Sequence, residues 1–209
     1  MLGSKKIGEL LLEGGDVTQA QLRRALSAQR DFGGRLGSRL IQIGAVAADV
    51  VAHALASQHG VKPATNAMFM AAGRDALGAL HAGICREHTV FPLALDGSTG
   101  VLALAMLDPG DLGAVDRLGR TLQLLIDPHA APEIQICSYL EHHYKVRSTL
   151  YEDKRAESGG TKDLATVGRR ATRTSDGEYS LDWLSAPAID EPSEGRGDEI
   201  EIDIDLDDL

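Results

Sequence analysis

The sequence predicts an α+β protein in three parts: a helical tandem repeat at residues 1–60, a small α+β subdomain at 61–147 and a disordered acidic tail at 148–209. Three observations lead to this prediction. Residues 6–58 contain one helical pattern twice. Apolar runs typical of strands begin at residue 90 and alternate with helical segments. After Lys145 the composition becomes polar and charged, and such segments bury too little apolar surface to fold.

The two copies of the repeat occupy residues 6–29 and 35–58, an offset of 35 − 6 = 29 residues. Each copy has a short helical segment (6–13 and 35–43) followed by a longer helix (19–30 and 47–59), and Thr18 with Gln21 forms a capping box. The identical pairs are Gly8/Gly37, Leu11/Leu40, Gly15/Gly44, Val17/Val46, Ala25/Ala54, Leu26/Leu55 and Gln29/Gln58. These positions fall at helix ends and on one helical face, where a structural repeat must agree.

The second part mixes helices and strands. Residues 61–73 form a connector around Pro63, and 75–85 are predicted to be one helix. Apolar strands at 90–95 and 101–107 flank a turn at 96–100, which indicates a hairpin. A helix is predicted to start at Asp108, with Pro109 in its first position, and to run to about residue 118. A third strand at 122–126 and a closing helix at 132–144 complete the subdomain.

Charge and hydropathy exclude several classes of protein. The net charge is -10, and residues 187–209 carry ten acids and one arginine, so the remaining 186 residues carry only -10 − (-9) = -1. A nucleic-acid-binding body would normally be basic. The longest apolar run, 101–107, is far below the roughly 20 residues of a membrane span, and the N-terminus has no signal-peptide pattern. We therefore expect a cytoplasmic protein with no membrane insertion and no nucleic-acid partner.

The sequence offers no pattern typical of an enzyme or a metal site. Cys85 and Cys137 are expected to be small core residues with free thiols, and the seven histidines show no ligand spacing. No nucleophile with a base and no paired carboxylates can be identified by spacing. We expect no catalytic residues, no metal and no cofactor.

The repeat itself indicates a binding site. Each copy begins with a cation, an aliphatic residue and a glycine (Lys6, Ile7, Gly8; Arg35, Leu36, Gly37), and each ends with an apolar stripe that closes on a glutamine (Leu22, Leu26, Gln29; Val51, Leu55, Gln58). Residues three and four apart share one helix face. A guanidinium can lie on a purine ring and pair with phosphate, and glycine allows close approach of the backbone. Two equivalent copies suit a planar, anionic ligand with two-fold symmetry.

This tandem pattern resembles the cyclic di-GMP-binding MshEN domain at the N-terminus of type II secretion and type IV pilus assembly ATPases. The motif of that family is R-L-G-x-x-[LVI]-[LVI]-x-x-G-[LVI]-[LVI]-x4-L-x3-L-x2-Q, in tandem with a five-residue spacer. The copy at 35–58 fits nine of its eleven specified positions, the copy at 6–29 fits eight, and the spacer 30–34 has the required length. Residues 74–147 also resemble the rest of that domain, through Phe91-Pro92-Leu93, Asp108-Pro109 and the closing helix.

The resemblance implies that each copy holds one GMP half of cyclic di-GMP. Lys6 and Arg35 would contact guanine or phosphate, the apolar stripes would form a floor, and Gln29 and Gln58 would bind polar atoms. Ser38 and Asp108 complete the expected ligand-binding set. No phosphate-loop motif G-x4-G-K-[ST] occurs in the sequence, so we expect a detached sensor that carries a tail where the family carries its ATPase.

Two departures from the motif keep a second hypothesis open. Lys6 replaces arginine and Asp16 replaces an aliphatic residue. An ammonium lacks the planar fork of a guanidinium, and the loss could be on the order of 1–3 kcal/mol, or roughly ten- to a hundred-fold in affinity. The alternative is a nucleotide-independent structural adaptor of a secretion or pilus machine with a degenerate site.

The acidic tail is a candidate partner motif. From Glu199 to Leu209, acidic and aliphatic residues alternate (EIEIDIDLDDL). In an extended strand the aliphatic side chains would share one face. Such a segment could add to a sheet edge or dock in a basic groove of a protein partner, or it could simply be a solubilising terminus.

Overall fold

The repeat folds as two successive pairs of helices. The computed structural model describes residues 5–145, and the predictions made for residues 148–209, including the acidic tail, lie outside this range. Helices α1 (Ile7–Glu13) and α2 (Gln19–Phe32) form the first pair, and α3 (Leu36–Gln42) and α4 (Ala48–His59) form the second. The bounds of α1 and α3 differ by 29 residues at both ends, as the sequence alignment of the copies predicts.

A glycine makes the same turn after each short helix. Gly15 and Gly44 both have φ of 73°, a conformation that favours glycine because it has no side chain. Leu11 and Leu40 are fully buried beside these turns, and each carbonyl oxygen accepts a hydrogen bond from the backbone that follows its glycine. The repeat is therefore a repeat of structure as well as of sequence.

The second part contains a four-stranded mixed sheet. Its strands are β1 (Lys62–Pro63), β2 (Val90–Asp96), β3 (Val101–Met106) and β4 (Leu125–Ala130), in the order β1-β4-β3-β2. The β2–β3 hairpin is antiparallel, and β4 is parallel to both β3 and β1. The helices of this part are α5 (Asn66–Met70), α6 (Arg74–Ala79), α7 (Ala82–His88), α8 (Leu112–Leu122) and α9 (Glu133–Tyr144). The α+β class is confirmed.

Three predicted elements were wrong in detail. The single helix expected at 75–85 is broken into α6 and α7, because Leu80 is extended and the His81 side chain accepts a hydrogen bond from Gly83 N–H to start α7. Helix α8 begins at Leu112 instead of 108, because Asp111 caps it by accepting from the Ala114 N–H. The connector expected at 61–73 contains β1 and α5.

The third strand also lies later than predicted, at β4 instead of 122–126. Proline is unusual inside a strand because it has no N–H to donate. Pro128 therefore argued against a strand when the sequence was considered alone. The structure accommodates it because β1 pairs only with His129 and Ala130, so that Pro128 has no neighbour on that side.

One hydrophobic core joins the repeat to the sheet. It includes a stack of aromatic rings, in which the Phe69 centroid lies 5.1 Å from that of Phe91 and 4.7 Å from that of Tyr139. Cys85 and Cys137 are buried, as predicted for small core residues, and burial raises the pKa of the Cys85 thiol to about 11. No helix within residues 5–145 is long and apolar enough to cross a membrane.

Candidate functional site

A cavity of about 460 Å³ opens where the two repeats meet the second part of the chain. Its volume is within the range of small-molecule sites. The lining residues from the repeats are Lys6, Ile7, Gly8, Glu9, Leu26, Gln29, Arg35, Leu36, Gly37, Ser38, Val51, Leu55, Gln58 and His59. Leu107, Pro132 and Glu133 line it from the second part. Twelve of the fourteen residues expected to bind the ligand thus come together at one cavity.

The two remaining expected residues lie just outside the lining. Leu22 is buried behind Gly8, where it fills the space that a side chain on that glycine would need. Asp108 is exposed, and its carboxylate lies 3.8 Å from Nδ1 of the lining residue His59. Leu22 therefore supports the floor of the cavity, and Asp108 stands at its rim.

Both cations are placed by the start of a short helix. Lys6 is the N-cap of α1 and Arg35 is the N-cap of α3, and both residues have an extended backbone. The backbone N–H of Lys6 donates to Glu9 Oε2 at 3.0 Å, which fixes the first turn of α1. The repeat therefore delivers one cationic side chain to the cavity from each half.

The two glycines of the motif make a reciprocal contact between the halves. A Cβ on Gly37 would lie 2.7 Å from Val51 Cγ1 and 3.4 Å from Ile7 Cδ1 of the other repeat. A Cβ on Gly8 would lie 3.3 Å from Leu36 Cδ2 of the other repeat and 3.4 Å from Leu22 Cδ1. Each glycine therefore makes room for an aliphatic side chain of the opposite copy. The structure thus shows a packing role for these glycines, and the close approach of a ligand expected from the sequence stays a prediction.

The spacer between the repeats is fixed by Arg39, which we did not single out in the sequence. Its guanidinium is buried and donates to the carbonyl oxygens of Gly33 (2.8 Å) and Phe32 (2.9 Å) and to Gln42 Oε1 (2.7 Å). Gln29, at the end of the apolar stripe, donates from Nε2 to the Gly34 carbonyl at 2.9 Å. These bonds set the path of the chain into Arg35.

The wall opposite the repeats is the start of α9. The N–H of Ile134 donates to the Ser38 hydroxyl oxygen at 3.3 Å, and this bond ties α9 to α3. Glu133 lies beside it on the cavity wall. Burial raises the pKa of the Glu133 carboxyl, and the guanidinium groups of Arg35 and Arg39 partly oppose that rise.

Sequence reasoning missed five lining residues: Glu9, His59, Leu107, Pro132 and Glu133. Glu9 and His59 could have been found, because each is adjacent to or one turn from a motif residue. The other three lie 49 or more residues after Gln58, and no spacing rule connects them to the repeats. These three residues reach the cavity only because α9 and the end of β3 pack against the repeats.

Comparison with known proteins identifies the second part of the chain. Residues 62–150 match the family model of the MshEN domain. The chain is 30% identical over 189 residues to the type IV pilus assembly ATPase PilB of Myxococcus xanthus, and 27% identical over 192 residues to PilB of Thermus thermophilus. These alignments cover 90% and 91% of this chain but only 31% and 20% of the two ATPases.

A solved structure of MshE with cyclic di-GMP is also similar. It shares 31% sequence identity with this chain, and the match covers 67% of this chain and 99% of that one with a TM-score of 0.46.

Proposed function

We propose that this chain, which belongs to the MshEN domain family, is a non-catalytic sensor that binds cyclic di-GMP in the cavity between its two repeats. One observation carries the proposal: twelve of the fourteen residues expected to bind the ligand line that cavity together. The expected residues came from the tandem pattern and its resemblance to the family motif, and their convergence on one cavity supports the proposal.

The symmetry of the cavity supports a ligand made of two equal halves. Each repeat contributes a cation at the start of a short helix, Lys6 or Arg35, and an aliphatic residue directly after it. Cyclic di-GMP has two phosphates and two guanine bases related by a two-fold axis. Each cation would serve one half, since both ammonium and guanidinium groups bind phosphate and a guanidinium can also stack on a base.

The floor of the cavity supports binding of planar bases. Leu26 and Leu55 occupy equivalent positions in α2 and α4, and both line the cavity. Aliphatic side chains of this kind pack on the faces of purines and exclude water from the polar contacts at their edges. Gln29 and Gln58 end the two stripes and would hydrogen-bond polar atoms of the ligand.

Calorimetric titration of the full chain with cyclic di-GMP tests the proposal, with GTP and ATP as controls. We expect saturable binding of one dinucleotide per chain and no comparable signal from the mononucleotides. Arg35→Ala should abolish this binding, whereas Arg24→Ala, an exposed arginine of α2 outside the cavity lining, should leave it unchanged.

A structural adaptor is the second candidate, and two observations favour it. Lys6 stands where the motif has arginine, and the match to the family model begins at residue 62, after both repeats. If the full chain gives no heat with cyclic di-GMP at high micromolar concentration, the sensor proposal is wrong. The adaptor proposal then takes its place, and it predicts binding to a secretion or pilus component without nucleotide.

A further inference from the structure

Glu133 brings a carboxylate into the cavity from outside the repeats. It is the first residue of α9, and the hydrogen bond from Ile134 N–H to Ser38 Oγ holds this end of α9 against α3. Glu133 is therefore placed on the wall of the half-site that begins with Arg35.

The repeat alignment shows why this position matters. In the first copy, the third residue after the cation is Glu9, and its carboxylate is engaged by the Lys6 N–H in a capping box. The equivalent residue of the second copy is Ser38, which has no charge and instead accepts the bond from Ile134. The second copy has no carboxylate at this position, and Glu133, which precedes Ile134 on α9, contributes one to the cavity lining.

A carboxylate is an unfavourable lining group for a site that only binds phosphates. Its charge repels a dianion, and its partial burial costs solvation, which is why its pKa is raised. Within residues 5–145, no cationic nitrogen lies within 4.0 Å of the Glu133 carboxylate to form an ion pair with it. Glu133 lines the cavity, so its carboxylate is available to accept hydrogen bonds from donors of a ligand.

Guanine presents such donors. Its N1–H and 2-amino group lie side by side and match the two oxygens of a carboxylate, while O6 and N7 are acceptors that suit an arginine. Adenine has an unprotonated N1, whose lone pair would face the carboxylate. The pair of Arg35 and Glu133 thus offers donors to one edge of guanine and acceptors to the other.

We propose that Glu133 is a specificity-determining residue that accepts hydrogen bonds from N1–H and the 2-amino group of the guanine held by the second repeat. The proposal rests on the proposed function and deepens it, since it assigns the reading of the base to a residue outside the tandem motif.

The test compares ligands that differ only at the base edge. Wild type, Glu133→Gln and Glu141→Gln are titrated with cyclic di-GMP, with cyclic di-AMP and with the inosine analogue of cyclic di-GMP, which lacks the 2-amino groups. Glu141 is on the same helix and does not line the cavity. Because hydrogen bonds to a charged acceptor are roughly twice as strong as neutral ones, we expect Glu133→Gln to weaken cyclic di-GMP binding about ten-fold.

The preference for guanine over hypoxanthine should shrink in Glu133→Gln by a similar factor, and Glu141→Gln should match wild type in every titration. An unchanged preference in Glu133→Gln would overturn this inference and leave the proposed function intact. If wild type binds no cyclic di-GMP, the proposed function and the inference both fall. A structural role alone would lower the urea midpoint of Glu133→Gln without changing its preference among the three ligands, and that result would also overturn the inference.

Discussion

At the scale of single residues, the two motif glycines are equivalent in sequence and differ in the space around them. A side chain on Gly37 would meet Val51 Cγ1 at 2.7 Å, whereas one on Gly8 would meet its nearest atom, Leu36 Cδ2, at 3.3 Å. Valine is branched at Cβ and stiff at χ1, so it cannot move aside easily. The leucine at the other site has a longer and more adaptable side chain.

We therefore expect Gly37→Ala to lower the free energy of unfolding by about 1–2 kcal/mol, since overpacking outweighs the gain in helix propensity. Gly8→Ala should change it by less than about 0.5 kcal/mol. Urea unfolding of both variants measures the difference. Val51→Ala should relieve the clash, so the double variant with Gly37→Ala should be more stable than the sum of the two single effects predicts. If the two effects are additive, Val51 is not the side chain that clashes with an alanine at position 37.

Lys6 and Arg35 are both the N-cap of a short helix, and they carry different cationic groups. If each binds one half of cyclic di-GMP, Lys6→Arg should tighten binding about ten-fold, because a planar guanidinium can make paired hydrogen bonds that an ammonium cannot. The reverse substitution, Arg35→Lys, should weaken it by a similar factor. Calorimetry on the two variants measures both affinities. If Lys6→Arg binds with the same affinity as wild type, the cation of the first half-site makes no paired hydrogen bonds to the ligand.

At the scale of elements, the spacer between the repeats depends on one side chain. The Arg39 guanidinium holds the carbonyl oxygens of Phe32 and Gly33 at the end of α2. Arg39→Met keeps the aliphatic stem but removes these bonds, so we expect it to destabilise the fold by about 1–3 kcal/mol. Arg24→Met, on the exposed face of α2, should stay within about 0.5 kcal/mol of wild type in thermal unfolding.

Arg39→Met should also weaken cyclic di-GMP binding, because the spacer leads directly into Arg35. A variant that is destabilised but binds with unchanged affinity would mean that the position of Arg35 does not depend on the spacer.

The sequence predicted the elements whose ends are marked by nearby residues. It misplaced the elements whose bounds depend on contacts with distant parts of the chain. The helices of the repeat could be predicted because glycine turns and a capping box mark their ends, and Thr18 does accept from Gln21 N–H at 3.2 Å. Strand β4 was misplaced because Pro128 is tolerated only where β1 leaves an edge without a partner. The break between α6 and α7 depends on the extended conformation of Leu80, which is buried. The residues on either side of Leu80 are helical, and the sequence around it does not indicate a break.

At the scale of the whole molecule, the candidate site spans both parts of the chain. The repeats could be assigned to the site from the sequence because their residues recur at a fixed offset. Glu133 and Leu107 could not, because their place in the cavity depends on how α9 and β3 pack against the repeats. A ligand in the cavity therefore contacts elements that are far apart in the chain.

This arrangement predicts that cyclic di-GMP stabilises both parts together. A ligand at 100 times its dissociation constant adds about 2.7 kcal/mol to the free energy of unfolding. Hydrogen exchange should therefore slow in α9 as well as in α3, and the Ile134 amide, bonded to Ser38 Oγ, is a direct reporter. Protection confined to residues 5–60 would contradict a site that includes α9, and GTP at the same concentration serves as the control.

The reciprocal fit of Ile7 over Gly37 and of Leu36 over Gly8 has a consequence for substitutions in either copy. In a single unit, Val51 would still lie over Gly37 and Leu22 over Gly8, but Ile7 and Leu36 would lose their contacts with the glycine of the other copy. Because these contacts join the two copies, a larger residue at position 8 or 37 would press on a side chain of the other copy as well as of its own.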